Sequence, residues 1–304
     1  MPARTDFPPV RACLFDMDGL LLDTEDIYTL CINIILEQYG RTNLPWSIKA
    51  RLQGRPGPEA NALFHDWARL PIPEAEYLAR FSALQKQHFP DARPLPGVEH
   101  LLANLGRTRW FEKPRAQGQD GRRVHIALAT SSNSTNFAVK TDNWTELFAV
   151  FESHRRVLGD DPRIQPGRGK PMPDIYLLAL NTINESLPAG EEPIAPEECL
   201  VFEDSVPGVE AGRRAGMRVV WVPHPMLKKE LEGREKDILA GRMGEAGAVD
   251  LHQLGEHDDG WADYYPDLTN FPYDKYGIVV PPAEVELDPS MKADVSEDII
   301  AKES

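Results

Sequence analysis

Short apolar runs alternate along the chain with segments whose apolar residues recur every three to four positions. The first run, Val10 to Phe15, is broken only by Arg11 and is too short for a helical face, so it predicts a buried strand. Similar runs predict further strands at 124–129, 148–151, 199–202 and 218–222. Because helical segments separate these strands, the pattern predicts an α/β fold with a parallel sheet and right-handed crossovers.

Helical spacing dominates the region after the first strand. Apolar residues recur at helical spacing between Ile27 and Ile35, and Gly40 supplies the stop. Three more helices are expected, at 46–52, 58–68 and 73–87, with no strand between them. We therefore predict a small all-helical unit at 24–93, inserted into a core formed by 8–23 and 94–250.

Two regions lie outside this plan. Residues 106–123 carry six basic residues against two acidic ones, and we interpret them as a solvated surface insertion rather than a substrate clamp. Residues 251–304 form a C-terminal extension with neither helical nor strand periodicity. Its first part is expected to pack as an extended strap, and its acidic end, from 284, is expected to be mobile.

Composition narrows the range of functions. The chain has 304 residues and a net charge of −15, which argues against nucleic acid as a partner because phosphate backbones require basic surfaces. No apolar run approaches the length needed to cross a membrane, so no membrane partner is expected. Cys13, Cys31 and Cys199 are odd in number and widely spaced, which does not suggest a disulfide framework. We expect a cytoplasmic protein.

Polar residues that could carry chemistry follow several of the predicted strands. Asp16 and Asp18 lie two residues apart beyond the first strand, and Gly19 permits a sharp turn there. Two acids this close repel each other unless a cation or a proton lies between them. Since ligands bind at the carboxyl ends of the strands in such sheets, these acids should meet other candidates from distant parts of the sequence: Thr130, Lys170, Glu203 and Asp204.

The segment Asp16-x-Asp18-Gly19-x-Leu21-x-Asp23-Thr24 resembles the first motif of the haloacid dehalogenase-like phosphohydrolases. The other three motifs of that family follow in order, which implies a Rossmann-like core. The resemblance implies that Asp16 is the nucleophile, which becomes an aspartyl phosphate, and that Asp18 is the general acid/base. It also implies that Thr130 and Lys170 hold phosphate oxygens. Dehalogenases of the family do not need the second acid, so its presence indicates chemistry at phosphorus.

The same resemblance implies Mg²⁺ as the cofactor. Its predicted ligands are Asp16, Glu203, Asp204 and the backbone carbonyl of Asp18. The helical unit at 24–93 is similar to the C1 cap of the family, a lid that closes over small substrates. Within and near the motifs, four residues are predicted to bind the substrate: Ser131, Asn133, Gly54 and Arg55.

Three local sequences resemble the pseudouridine-5′-phosphatase group of this family: 15–25, 157–162 and 200–210. We therefore expect a phosphatase that acts on a small phosphorylated metabolite, either pseudouridine 5′-phosphate or a sugar phosphate. Two alternatives remain at this point. One is a phosphomutase of the β-phosphoglucomutase type, although Gly57 stands where that enzyme has an arginine. The other is a non-catalytic protein that keeps the fold and binds partners, whose identity the sequence does not indicate.

Overall fold

The computed structural model describes residues 3–109, 122–244 and 255–282. Within these residues, six parallel strands form one sheet in the spatial order β3-β2-β1-β4-β5-β6. The strands are β1 (Ala12–Phe15), β2 (His125–Ala129), β3 (Arg156–Val157), β4 (Cys199–Glu203), β5 (Arg218–Trp221) and β6 (Ala262–Tyr264). The predicted α/β fold with a parallel sheet is confirmed.

Helices occupy both faces of the sheet and the connection that follows β1. They are α1 (Thr24–Gln38), α2 (Trp46–Leu52), α3 (Gly57–Ala68), α4 (Glu74–His88), α5 (Val98–Arg107), α6 (Ser134–Thr141), α7 (Thr145–Phe148), α8 (Asp174–Glu185), α9 (Val206–Arg214), α10 (Pro225–Glu230) and α11 (Glu235–Leu239). In the part of the chain that the structure describes, no helix is long and apolar enough to cross a bilayer. The cytoplasmic location and the absence of nucleic-acid and membrane partners stay predictions.

The central strand β1 is buried on both faces, which explains its unbroken apolar character. Its side chains alternate, so Ala12 and Leu14 pack in one apolar cluster with α8 and α9. Cys13 and Phe15 point to the other face and pack in a second cluster with α5. This double packing fixes the end of β1, and therefore the position of Asp16, which follows it directly.

Helices α1 to α4 lie consecutively between β1 and α5 and share an apolar cluster of their own, which includes Ile35, Phe64 and Tyr77. We refer to residues 24–93 as the cap. The chain passes between this region and the core twice, and the two connecting segments lie side by side. Leu22 bridges Pro94, and the Asp23 amide N–H donates to the Arg93 carbonyl at 3.0 Å. The division of the chain into core, cap and extension stays a prediction.

Two predicted elements differ from the structure. Residues 148–151 are not a strand: Phe148 ends helix α7, and both Phe148 and Phe151 are buried against the sheet, where the Phe151 ring lies 5.8 Å from that of Phe15. Their apolar character reflects this packing rather than strand pairing. Conversely, β6 lies in the predicted extension and pairs with β5. Three residues are too few to show an alternating pattern, so β6 could not be predicted from periodicity.

The segment at 255–282 is anchored to α9 by an ion pair. Arg213 Nη1 lies 3.0 Å from Asp259 Oδ1, and the same carboxylate accepts backbone N–H groups from Glu256 at 2.9 Å and Trp261 at 3.0 Å. Burial alone would raise the pKa of Asp259, but these hydrogen bonds and the charge of Arg213 hold the pKa below its usual range. The ionised carboxylate therefore stabilises the folded state.

We expect Asp259→Asn to lower the free energy of unfolding at pH 7 by about 1–3 kcal/mol, because a charge-assisted network is lost. The pKa of Asp259 is depressed in the folded state, so its stabilisation is complete above the ordinary value and declines as the pH falls through the folded pKa. The difference in the free energy of unfolding between wild type and variant should therefore become smaller as the pH falls. Urea titrations at pH 7 and at about pH 3.5 would measure it.

The neighbouring Asp258 provides the matched control. Its ion pair with Lys236 is largely exposed, so Asp258→Asn should change stability by less than about 0.5 kcal/mol. Equal effects of the two substitutions would contradict an anchoring role for Asp259.

Candidate active site

The candidate site lies where the order of the strands reverses direction. Strand β1 connects to β2 on one side of the sheet, and its neighbour β4 connects to β5 on the other side. This leaves a crevice between the carboxyl ends of β1 and β4. Asp16 follows β1, and its backbone N–H donates to the Phe202 carbonyl of β4 at 3.1 Å. Glu203 ends β4 and Asp204 follows it. The sheet thus places three carboxylates side by side.

Lys170 joins these acids from the loop before α8. Its side chain is completely buried; Nζ donates a hydrogen bond to Asp16 Oδ1 and lies 2.6 Å from Glu203 Oε1. Burial alone would lower the pKa of Lys170, but the charges of Asp16 and Glu203 outweigh it and raise the pKa above its usual value. Lys170 is therefore a fixed positive charge beside the Asp16 carboxylate.

Glu203 is held by donors on both of its oxygens. The Tyr176 hydroxyl donates to Oε1, while Oε2 accepts the Ser205 hydroxyl and the Asp204 amide N–H, each at 3.1 Å. Ser205 also caps helix α9 through the Gly208 N–H at 3.1 Å. Glu203 therefore has a fixed orientation, and Tyr176 is a contributor that the sequence analysis did not identify.

Asp16, Glu203 and Asp204 each offer one oxygen, and these oxygens all lie within 4.8 Å of one another. Burial, together with the nearby carboxylates, raises the pKa of Asp16 and of Asp204. Asp204 Oδ1 is buried and has no hydrogen-bond partner among the described residues. A crowded set of oxygen donors with one unpartnered atom fits a hard divalent cation, so the chain contains a cluster that could bind a metal ion.

Asp18 does not join that cluster. Its carboxylate accepts hydrogen bonds from Thr24 Oγ1 at 2.6 Å, from Ser132 Oγ at 2.7 Å and from Lys140 Nζ. Burial would raise the pKa of Asp18, but Lys140 and these hydrogen bonds hold it below its usual range. The side chain is thus prepared as an anion next to the Asp16 site. A metal-binding role for the Asp18 carbonyl stays a prediction.

Lys140 is the most important residue that the sequence analysis missed. It is 1% exposed, and its Nζ also donates to Ser132 Oγ at 2.7 Å and to the Tyr28 hydroxyl at 2.9 Å. The ammonium lies 4.4 Å from the centre of the Phe89 ring. The available signal was a lysine three residues after Phe137, on the side of α6 that faces the core.

The residues at the end of β2 that were predicted to contact phosphate or substrate form hydrogen bonds to other groups of the protein. The Thr130 hydroxyl is completely buried and accepts the Ser132 N–H at 3.1 Å. Ser131 Oγ donates to the carbonyl of Gly54 at 3.1 Å. Asn133 caps helix α6 by accepting the Asn136 N–H at 2.9 Å, while also lining the cavity described below. Their roles toward substrate stay predictions.

The turn that follows α2 carries the predicted cap residues over this site. Gly54 has a φ of 77°, which favours glycine, and a Cβ built there would lie 2.1 Å from Ser205 Oγ. Only glycine therefore allows this close approach of cap and core. Arg55 lines the cavity and its Nε donates to the Arg51 carbonyl at 2.7 Å.

A cavity of about 670 Å³ lies between the cap and these loops. Asp16 and Asp18 form part of its floor, and the cap supplies a wall that includes the aromatic residues Tyr28, Phe64, Tyr77 and Phe81. Most of the predicted basic insertion, residues 110–121, lies outside the described residues. Its flanking Arg107 and Arg123 contact Pro281 and Glu152 and do not line the cavity.

This arrangement agrees with the comparisons with known proteins. A sequence model of the haloacid dehalogenase-like hydrolases matches residues 10–216. The chain belongs to this family. The expectation that the chain is an enzyme, which rested on the order of the four motifs, is confirmed.

Two curated relatives and one solved structure illustrate the similarity within this hydrolase family. The probable pseudouridine-5′-phosphatase of Saccharomyces cerevisiae is 44% identical over 77% of this chain and 90% of its own. The mitochondrial (DL)-glycerol-3-phosphatase 1 of Arabidopsis thaliana is 34% identical over 76% of this chain and 70% of its own. A haloacid dehalogenase-like protein from Agrobacterium tumefaciens shares the fold, with a TM-score of 0.57 and 20% identity over 86% of this chain and 96% of its own.

Proposed function

We propose that the protein is a magnesium-dependent phosphoric monoester hydrolase that removes phosphate from a small phosphorylated metabolite. The observation that carries the proposal is the meeting of Asp16, Lys170, Glu203 and Asp204 in one buried cluster, in which Asp16 also lines the cavity under the cap. The phosphatase names of the relatives support the same reaction class. They also favour it over the phosphomutase and the non-catalytic alternatives.

In the first step, an Asp16 carboxylate oxygen attacks the phosphorus, and the bond from phosphorus to the leaving oxygen breaks. Asp18 is held as an anion by its three donors, so it first takes up a proton, which it then donates to the leaving alkoxide. Lys170 opposes the effect of burial on Asp16 by favouring its ionised form, and it balances the negative charge of the approaching phosphate. When bound by Asp16, Glu203 and Asp204, Mg²⁺ supplies further positive charge at this point.

In the second step, water attacks the aspartyl phosphate and the bond between phosphorus and Asp16 breaks. Asp18 takes the proton from that water, and inorganic phosphate and the free Asp16 carboxylate result; the proton on Asp18 is then available for the next leaving group. The three donors around Asp18 suit this base role, because hydrogen bonds to an ionised carboxylate stabilise its charge.

The cavity favours a nucleoside-like leaving group. The Tyr77 ring stacks on Phe81 at 5.5 Å and 16°, and it also stacks on Phe64 at 4.8 Å. This stacking supports the half-buried ring of Phe81, which with Tyr28 offers apolar area to a flat base, whereas glycerol phosphate would use little of it. We therefore place pseudouridine 5′-phosphate ahead of sugar phosphates as the substrate.

The direct test is a phosphate-release assay on four esters: pseudouridine 5′-phosphate, uridine 5′-phosphate, ribose 5-phosphate and glycerol 3-phosphate. We expect release with Mg²⁺ and none after EDTA treatment, with the highest kcat/KM for a nucleotide. The two nucleotides differ only in how the base joins the ribose, so they separate recognition of the base from recognition of its attachment.

Two results would contradict the proposal. One is the absence of phosphate release from every ester in the presence of Mg²⁺. The other is an isomerised sugar phosphate without free phosphate, which is the behaviour of a phosphomutase. Glycerol 3-phosphate as the best substrate would leave the reaction class intact but overturn the argument from the aromatic wall.

A further inference from the structure

The turn from Gln53 to Pro56 contacts three of the loops that carry site residues, namely those after β2, before α8 and after β4. The Gln53 side chain donates from Nε2 to Asp204 Oδ2, and the Gly54 carbonyl accepts the Ser131 hydroxyl. Pro56 packs against Gly169, where an added Cβ would lie 2.4 Å from the proline ring. Of these contacts, only the one from Gln53 reaches a carboxylate of the acidic cluster.

The geometry points to Gln53 as a positioning residue that couples closure of the cap to the metal-binding carboxylates. This inference rests on the proposed function, because it assigns Asp204 to the metal site. Gln53 was not among the residues that the sequence analysis selected, since nothing in its spacing distinguishes it from the apolar and basic residues around it. Among the described residues, its side chain is the part of the cap that hydrogen-bonds to a carboxylate of the acidic cluster.

The orientation of the Gln53 amide is determined by its partner. The NH₂ end of the amide faces Asp204, because Nε2 donates to Oδ2, and this is the direction that Asp204 requires when it is ionised as a metal ligand. The side chain is 3% exposed, and its Oε1 has no hydrogen-bond partner in the described part of the chain. Buried amide oxygens normally accept a hydrogen bond. An unpartnered, buried acceptor beside the acidic cluster and on the cavity wall indicates a residue built to meet a bound group.

The contact between Gln53 and Asp204 affects both the metal site and the position of the cap. Asp204 is oriented by a donor that is present only while the cap is in contact with the core. Groups that orient a metal ligand contribute to metal affinity, and their loss commonly lowers it about tenfold or more. Coupling is reciprocal, so a cation that favours this orientation of Asp204 also favours the closed cap by the same factor. Opening of the cap to release product would then remove the hydrogen bond that orients Asp204 and so weaken binding of the cation.

Two variants of Gln53 separate this role from simple packing. Gln53→Met keeps the volume and removes the hydrogen bond. Gln53→Glu keeps the shape but replaces the donor with an acid that repels Asp204. Closure can be followed by the distance between spin labels attached through Ala79→Cys on the cap and Asn181→Cys on the core, both exposed positions. The native cysteines Cys13, Cys31 and Cys199 are buried.

We expect the metal-free closed population to fall in the order wild type, Gln53→Met, Gln53→Glu. Calorimetric titration with Mg²⁺ should show about tenfold weaker binding to Gln53→Met. Gln85→Met is the matched control: Gln85 is another buried cap glutamine on the same cavity, outside the acidic cluster, and its replacement should leave Mg²⁺ affinity unchanged.

Identical label distances in all three proteins, with Mg²⁺ affinity of Gln53→Met within twofold of wild type, would overturn the inference. Neither measurement requires turnover. A failure of the coupling would therefore be distinguishable from a failure of the proposed phosphatase activity, which would appear only in the phosphate-release assay.

Discussion

Asp16→Asn is expected to abolish phosphate release, with a loss of about ten-thousandfold or more in kcat, because the amide cannot form the aspartyl phosphate. Acid-quenched turnover followed by mass spectrometry should show a phosphorylated protein for wild type and none for the variant. Activity within a hundredfold of wild type would remove Asp16 from the nucleophile role.

The variant should still fold, which makes the loss interpretable. Lys170 keeps its contact with Glu203 when Asp16 becomes neutral, and one buried negative charge is removed from a crowded cluster. A urea titration should therefore give a free energy of unfolding similar to or above that of the metal-free wild type. Asp237→Asn is a suitable control, because Asp237 is paired with Arg234 and His257 on the surface, remote from the cavity.

Lys140→Met is expected to have the next largest effect. The substitution leaves the buried Asp18 carboxylate without its counter-charge, so the pKa of Asp18 should rise. Asp18 must be ionised to take a proton from water, and the acidic limb of the pH–kcat profile should therefore move to higher pH. We expect kcat at pH 6 to fall by about 10²–10⁴-fold. An unshifted acidic limb would contradict control of Asp18 by Lys140.

A double variant tests whether the effect of Lys140→Met arises from the loss of its ion pair with Asp18. Removing one partner of a buried ion pair typically costs about 3–5 kcal/mol, since the other charge stays buried. Lys140→Met with Asp18→Asn should therefore be more stable than Lys140→Met alone while remaining inactive. Additive losses of stability would show that the two side chains act independently.

The sequence was most informative where local pattern and chemistry coincide. Strand β1 could be predicted because both of its faces are buried, and Asp16 was located by its position directly after that strand. The helices of the cap were predictable because each buries one face at a regular spacing. The motif order then indicated which polar residues would meet at the sheet edge.

What the sequence did not reveal depends on contacts between distant residues. Lys140 and Gln53 have ordinary neighbours in the sequence, and their roles follow from the burial of Asp18 and Asp204 by other elements. Strand β6 exists because β5 offers a free edge to a three-residue segment far along the chain. Phe148 and Phe151 show the opposite error, because burial alone produced an apolar run that resembled a strand.

The pairing of β1 also bears on how the chain folds as it is synthesised. Ala12 emerges from the ribosome long before its two sheet partners, His125 and Cys199, and the site needs Lys170 and Asp204 as well. Helices α1 to α4, whose contacts are local, can fold long before either neighbour of β1 exists. During this interval the apolar first strand lacks its sheet, which makes it a natural binding segment for a chaperone and a point of risk for aggregation. Slow translation after the cap would prolong that exposure, whereas the finished cap itself would be unaffected.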